Sequence, residues 1–241
     1  MKIIGVIPAR YDSVRLPGKP LKDINGKPMI QHVYESASKS VLLSRVIVAT
    51  DNTLIFDAVK KFGGEVLMTS ASHNSGTERI AEAINNIDAD IIVNIQGDEP
   101  FIDALNIDMA IQPLLVKGNN TAISTLANKF KINDDVKDPN KVKVVMDDKG
   151  FAVYFSRSVV PYGADEYYKH IGLYVYKRWL LESLGELEPT KLEETEKLEQ
   201  LRFVVNGYQI QVVVTDIDSV SVDTEEDLEI VRRLAEVRDL R

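Results

Sequence analysis

Residues 2–20, KIIGVIPARYDSVRLPGKP, begin as an apolar run and end as a cationic loop, and that change of character sets the fold. KIIGVI suits a short strand buried on both faces. The loop after it carries Arg10, Arg15 and Lys19 between Pro8, Pro17, Gly18 and Pro20. The fixed φ of proline limits how far such a loop can wander. Arginine offers a planar fork and lysine a compact point charge, so the loop is either solvated surface charge or a seat for a phosphate-rich anion. It has no G-x-G-x-x-G, which leaves a nicotinamide-dependent dehydrogenase without support, and Lys19 precedes Pro20 rather than Ser or Thr, so it is no P-loop.

The strand-then-loop unit recurs. RVIVATD (45–51), EVLMTS (65–70) and DIIVNIQGDEP (90–100) read as further strands. Helical stretches separate them: NGKPMIQHVYESASKS (25–40), with Pro28 in its first turn and Ile30, Val33 and Ala37 inward; NTLIFDAVKKFGG (52–64), with Leu54, Ile55, Ala58, Val59 and Phe62 inward; and GTERIAEAINNI (76–87), with Ile80, Ala83, Ile84 and Ile87 inward. This alternation predicts right-handed crossovers and an α/β, Rossmann-like architecture with a mostly parallel central sheet. Ligands of such sheets sit at the carboxyl ends of the strands, so the opening loop, TSASHNSGTER (69–79) and QGDEP (96–100) share one rim.

Beyond residue 121 the pattern turns β-rich: TAISTLANKF, NKVKVVMDD, GFAVYFSRSV and YKHIGLYVYKR are strand-like, with DDKG as a hairpin turn. WLLESLGE and KLEETEKLEQLRFVVNGY are helical, and QIQVVVTDI is a strand. DTEEDLEIVRRLAEVR is a closing helix with Thr224 and Asp227 as a capping pair. A single domain over 1–241 is expected, with a first half to about 120, a β-rich insertion to about 215 and a closing segment over 216–241.

The 241 residues are 44% hydrophobic, enough for a sizeable core, and the net charge of -8 argues against general nucleic-acid binding. With no cysteine there are no disulfides or thiolate metal sites. No secretory leader and no apolar run of membrane-spanning length is visible, so a cytoplasmic protein without membrane insertion is expected.

Asp98 and Glu99 end a buried strand, where carboxylates suit magnesium; a solvated turn reads the same way. Asp223 follows a strand and opens a helix, a position that capping alone also explains. Spacing does not say whether Asp98 and Asp223 meet. Ser75, Gly76 and Thr77 precede a helix with Arg79 in its first turn, as a plain N-cap or as donors to a base or sugar. Arg157 ends an aromatic strand, and Tyr168, His170, Gly172, Tyr174 and Tyr176 alternate onto one strand face. Glu199 and Gln200 lie on a helix, and His32 and His73 form no metal or Ser/His/Asp constellation.

In order along the chain stand IPARYDSVRLPGKPLKDINGKPMIQHVYE (7–35), VATD (48–51), SGTERIAEA (75–83), VNIQGDEP (93–100), YFSR (154–157), KHIGLYVYK (169–177), TEKLEQLR (195–202) and VDTEEDL (222–228). With these motifs the sequence resembles the 3-deoxy-manno-octulosonate cytidylyltransferases over essentially its whole length, least around residues 103–140. The resemblance implies a homodimeric, magnesium-dependent nucleotidyltransferase. It would join CTP to the sugar acid 3-deoxy-D-manno-octulosonate (Kdo), giving CMP-Kdo and pyrophosphate for lipopolysaccharide biosynthesis. It implies that Pro8, Ala9, Arg10, Arg15 and Lys19 hold the triphosphate, and that Ser75, Gly76, Thr77 and Arg79 seat the cytidine. Asp98 and Asp223 would carry Mg2+, making Arg10, Lys19, Asp98 and Asp223 the catalytic set. Gln96, Arg157, His170, Tyr174, Glu199 and Gln200 would line the sugar-acid pocket. The insertion would serve sugar binding and dimerisation, and no side chain stands out as general base. The competing expectations are the same reaction on 8-amino-Kdo or a sialic acid, and a nucleotide-binding regulator without turnover.

Overall fold

The opening apolar run forms β1 (Ile3–Ala9), buried along almost its whole length. In the computed structural model every residue is described except 14, 74, 119–120, 132–133 and 240–241. The chain divides into two units, Met1–Asp108 with Ser219–Arg241, and Met109–Asp218.

In the first unit β1 is followed by the two-residue strands β2 (Asp23–Ile24) and β3 (Lys27–Pro28), then α1 (Met29–Ala37), β4 (Arg45–Thr50), α2 (Thr53–Lys61), β5 (Val66–Met68), α3 (Gly76–Ala83) and β6 (Ile91–Asn94). β1 pairs in parallel with β4 and β6, and β4 with β5, giving the order β5-β4-β1-β6. This is the expected parallel sheet with helical crossovers, and its carboxyl ends carry the loops singled out above.

The helices dock where apolar spacing predicts. Ile30, Val33 and Ala37 of α1 are buried, as are Ile80 and Ala83 of α3, with Ile84 and Ile87 just beyond it. Pro28 stands one residue outside α1, at its N-cap. In α2, Ile55 and Val59 are fully buried, but Leu54, expected to face inward, is 55% exposed. The cause is local: the Asn52 side chain accepts from the Leu54 and Ile55 amides and fixes where the helix starts. Each helical residue advances about 100° around the axis, so a start that aims Ile55 and Val59 at the sheet leaves Leu54 aside.

α4 (Ala104–Leu115) carries the chain into the second unit. No element was expected there. Beside Ile107, Ala110, Ile111 and Leu114, the polar Asn106 is also fully buried, so the helix lacks the polar face that marks an amphipathic pattern.

The second unit contains β7 (Ile123–Lys129), β8 (Lys143–Met146), β9 (Ala152–Ser156), β10 (Tyr168–Lys177), α5 (Arg178–Glu182), α6 (Lys191–Glu196), α7 (Gln200–Val205) and β11 (Ile210–Val214). β7 lies antiparallel to β10 and parallel to β11, and β8 pairs antiparallel with β9 and β10. The helical stretch 191–208 is two helices. Thr190 opens α6 with a capping box, and Lys197 stops it in the left-handed region at φ 56°.

The last helix, α8 (Glu225–Asp239), belongs to the first unit. The predicted capping pair is present: the Thr224 amide donates to Asp227 Oδ2 at 2.9 Å and the Asp227 amide to Thr224 Oγ1 at 3.2 Å. The inner face of α8, Leu228, Val231 and Ala235, joins Val222, Leu16, Ile24 and Met29 in one buried apolar cluster, with Phe101 against it. Burying each large aliphatic side chain contributes roughly 1.5–3 kcal/mol. This cluster ties the basic opening loop, through Leu16, to the acidic segment before α8, through Val222.

Candidate active site

At the carboxyl ends of the first unit's strands lies a cavity of about 390 Å³. Pro8, Ala9, Arg10, Arg15 and Lys19 line it from the loop after β1. Ser75, Gly76 and Arg79 line it from the start of α3, Gln96 and Asp98 from the loop after β6, and Asp223 from the segment before α8. Thr77 is 2% exposed within α3 and is not a lining residue.

Two glycines allow this convergence. A Cβ on Gly97 would stand 2.9 Å from the Pro8 carbonyl oxygen, closer than real Cβ atoms come, and one on Gly76 would stand 3.1 Å from Pro8 Cγ. The loop after β6 and the start of α3 therefore pack directly on the end of β1.

The two aspartates meet. Lys19 Nζ donates to Asp98 Oδ2 at 2.8 Å and to Asp223 Oδ1 at 3.2 Å, and Arg15 reaches Asp223 Oδ2 at 3.0 Å. A backbone hydrogen bond of 2.9 Å from the Val222 amide to the Asp98 carbonyl fixes the two segments to each other. The carboxylates thus converge on one cation, the ammonium, and their chemistry fits a magnesium site completed by substrate phosphates. Among the described residues no group of three His, Cys, Asp or Glu side chains is placed to hold an ion, so an ion held by these two carboxylates would need its other ligands from outside the protein.

The other cations differ in their freedom. Arg10 is exposed and makes no ion pair among the described residues. Arg79 is buried, donating to Asp51 Oδ2 at 2.6 Å and Thr69 Oγ1 at 2.6 Å, so its guanidinium braces the ends of β4 and β5. His73, which sequence reasoning set aside, lines the same cavity with Nε2 hydrogen-bonded to the Glu82 carboxylate. Glu82 also accepts from the Ser70 amide; the His73 bond first, then this one, hold its carboxyl below the usual range.

In the second unit, His170 and Tyr174 are in ring contact at 5.3 Å, and Phe155 meets the edge of the His170 ring at 5.1 Å. Burial pushes the His170 imidazole down to about 3, so it is neutral at ordinary pH. Its Nε2 lies 2.9 Å from Thr125 Oγ1, whose own proton goes to the Leu173 carbonyl at 2.7 Å; His170 is therefore the donor of the pair. The Tyr174 hydroxyl is buried without a hydrogen-bond partner among the described residues. Burial, Tyr176 and then Glu199 push its pKa well above 10. Glu199 and Gln200 stand at the start of α7, and Gln200 is buried.

Arg157 Nε donates to the Glu196 carbonyl at 2.8 Å, and its guanidinium also reaches the Pro139 carbonyl at 3.0 Å and the Lys197 carbonyl at 3.4 Å. The Glu196 carboxylate accepts from the Arg157 amide at 2.9 Å and Ser156 Oγ at 2.7 Å. Burial pushes Glu196 up, and these hydrogen bonds outweigh it and leave the carboxyl below the usual range. Glu196 was not singled out from the sequence, where it is one acid among several in KLEETEKLE.

A parallel α/β sheet with a mixed-charge cavity of about 390 Å³ at its strand ends fits a nucleotidyltransferase, and the family described as Cytidylyltransferase matches residues 4–217. The chain is 49% identical over 251 residues to a 3-deoxy-manno-octulosonate cytidylyltransferase of Geobacter metallireducens, covering 98% of each protein. It is 50% identical over 238 residues to the protein of that name from Solibacter usitatus, covering 97% of this chain and 94% of that one. A solved CMP:2-keto-3-deoxy-manno-octonic acid synthetase complexed with CTP superposes with a TM-score of 0.94 at 40% identity, over 99% of this chain and 100% of that one. The chain belongs to the 3-deoxy-manno-octulosonate cytidylyltransferase family. No helix among the described residues is long and apolar enough to cross a membrane.

Proposed function

We propose that the protein transfers CMP from CTP to Kdo, releasing pyrophosphate, with magnesium carried by Asp98 and Asp223, and so activates the sugar acid for lipopolysaccharide biosynthesis. The observation that carries this reading is the approach of both carboxylates to within about 3 Å of a single ammonium beside the cavity. The names of the close relatives support the substrates.

In the reaction the anomeric 2-hydroxyl oxygen of Kdo bonds to the α-phosphorus, the bridging P–O bond to the β-phosphate breaks, and pyrophosphate leaves with the electron pair. The hydroxyl proton is lost to solvent. Two anions have to approach each other, so positioning and charge stabilisation supply most of the rate. Arg10, Arg15 and Lys19 neutralise and orient the triphosphate, and Arg157 offers a planar fork to the sugar carboxylate. His170, Tyr174, Glu199 and Gln200 hydrogen-bond the sugar hydroxyls. Magnesium, when bound, offsets phosphate charge and lowers the pKa of a nearby hydroxyl. The protein acts in the cytoplasm as a homodimer.

Pyrophosphate release is the test, with CTP, magnesium and, in parallel, Kdo, 8-amino-Kdo or a sialic acid. Preference for Kdo is expected. Faster release with another acid moves the substrate assignment, and CTP binding without release from any of them leaves only a regulator.

A further inference from the structure

Lys19 has every N–H of its ammonium committed to protein. It donates to Asp98 Oδ2 at 2.8 Å, Asp223 Oδ1 at 3.2 Å and the Val222 carbonyl at 3.0 Å, so none remains for a phosphate oxygen. Arg15 covers the other oxygen of Asp223 at 3.0 Å. Two carboxylates therefore face two cations, and the set is balanced without any ion from solution. Of the four carboxylate oxygens only Asp98 Oδ1 has no cation against it among the described residues, and a divalent ion approaching it meets the charge of Lys19 on the same carboxylate. Arg10 stands apart in the same loop, exposed at the cavity and without an ion pair among the described residues.

We infer that Lys19 is a positioning residue for the two carboxylates before it is a phosphate ligand: its ammonium stands in for the divalent ion, keeps Asp98 and Asp223 together, and withholds them from metal until nucleotide arrives. The inference rests on the reading of those aspartates as the metal ligands. Without a counter-ion, adjacent carboxylates repel, and one of them takes a proton or turns away. An ammonium suits a temporary stay because it is a compact point charge on a flexible stem, not a fork fixed by bidentate geometry. A triphosphate, engaging Arg10 first, offers Lys19 more negative charge than the aspartates do. As the ammonium moves to it, the carboxylate oxygens come free for the divalent ion. Metal binding is then ordered after nucleotide binding, or concerted with it.

The test is direct binding of Mn2+, read from the free-ion EPR signal, to the wild type, Lys19→Met, Lys19→Gln and Lys19→Arg. Each is measured with and without a CTP analogue that cannot be cleaved between the α- and β-phosphates. The wild type is expected to bind Mn2+ weakly alone and much more tightly with the analogue. Both neutral variants are expected to bind the ion alone about tenfold more tightly than the wild type, because a cation has left the site. Lys19→Arg is expected to bind the ion alone as weakly as the wild type, because the positive charge stays, and to gain less from the analogue, because a guanidinium fork leaves the carboxylates less readily. Neutral variants that bind Mn2+ alone no better than the wild type, or an arginine variant that behaves like them, overturn the inference. Melting in chelator and in Mn2+ gives the same readout through stability: the ion alone should raise the melting temperature of Lys19→Met more than that of the wild type, and an equal shift counts against the idea. Asp98→Asn separates the two layers. If it leaves Mn2+ binding unchanged in every state, the metal-site reading itself is wrong; if it abolishes binding while the neutral Lys19 variants gain nothing, only the inference fails.

Discussion

The amide of Val222 donates to the carbonyl of Asp98 at 2.9 Å, a main-chain link between the loop after β6 and the segment before α8. The register of these two segments is therefore set by backbone and by the buried side chain of Val222, not by the charged groups beside it. Changes in charge at positions 98 and 223 should alter chemistry while leaving the fold in place.

Asp98→Asn tests this separation. The amide keeps the shape but loses the charge, and turnover is expected to fall by about 100-fold or more, the scale of losing one fixed electrostatic partner of a transition state. The melting temperature should stay close to that of the wild type. Pyrophosphate release and a thermal melt on the same preparation check both halves, and a variant retaining most of its activity removes Asp98 from the site.

Gly97→Ala acts through sterics. Its Cβ would stand 2.9 Å from the Pro8 carbonyl oxygen, so the loop or the end of β1 has to shift. A stability loss of about 1–3 kcal/mol is expected in urea unfolding, as for other overpacked sites. Turnover should fall at least about tenfold because Asp98 is the next residue and misplacement is costly. Gly185→Ala is the control: nothing lies within 4 Å of its Cβ, and stability should change by less than about 0.5 kcal/mol.

Arg157→Ala should raise KM for the sugar acid about tenfold or more, the worth of a charge-assisted bidentate contact, with KM for CTP changed little. Loss of its bonds to the Glu196, Pro139 and Lys197 carbonyls should also cost about 1–2 kcal/mol of stability. Steady-state kinetics with each substrate varied in turn are decisive; equal effects on the two KM values exclude a carboxylate role.

His170 predicts an acid-side stability loss. Burial holds its pKa at about 3 in the folded chain, against about 6.5 for an ordinary imidazole, so the unfolded chain binds the proton first. The stability held by the neutral, buried ring is complete above about pH 6.5 and drains away as pH falls towards 3, at up to about 1.4 kcal/mol per pH unit. Urea unfolding at pH 7.0, 6.0, 5.0 and 4.0 (about unit steps) should show His170→Gln losing less stability across that range than the wild type. Parallel pH profiles would remove the assignment.

Much of the first unit was legible because each strand is an apolar run that ends in punctuated polar sequence, and each helix shows its inner stripe. Three features were not. α4 has no clear polar face, and Pro113 sits inside it, so neither periodicity nor a breaker rule marks it. Leu54 has the right spacing for the inner face of α2, but the Asn52 cap sets the phase of the helix. Lys197 adopts a left-handed turn that its residue type does not announce, and this splits α6 from α7. At the site, the charged residues could be read from the loops, but the meeting of Asp98 with Asp223 could not. It depends on Leu16 and Val222 entering one apolar cluster, a relation between distant segments that local spacing does not record.

That cluster has a consequence for biosynthesis. The basic loop and Asp98 emerge from the ribosome early, yet the segment bearing Asp223, with the helix that buries Val222, is made only after the whole second unit. A nascent chain can complete its parallel strands and expose its cationic rim while lacking half of its acidic pair. On the proposed reading, catalytic competence therefore waits for the segment made after the second unit, and a chain stopped before Asp223 would carry the basic loop and Asp98 without their acidic partner.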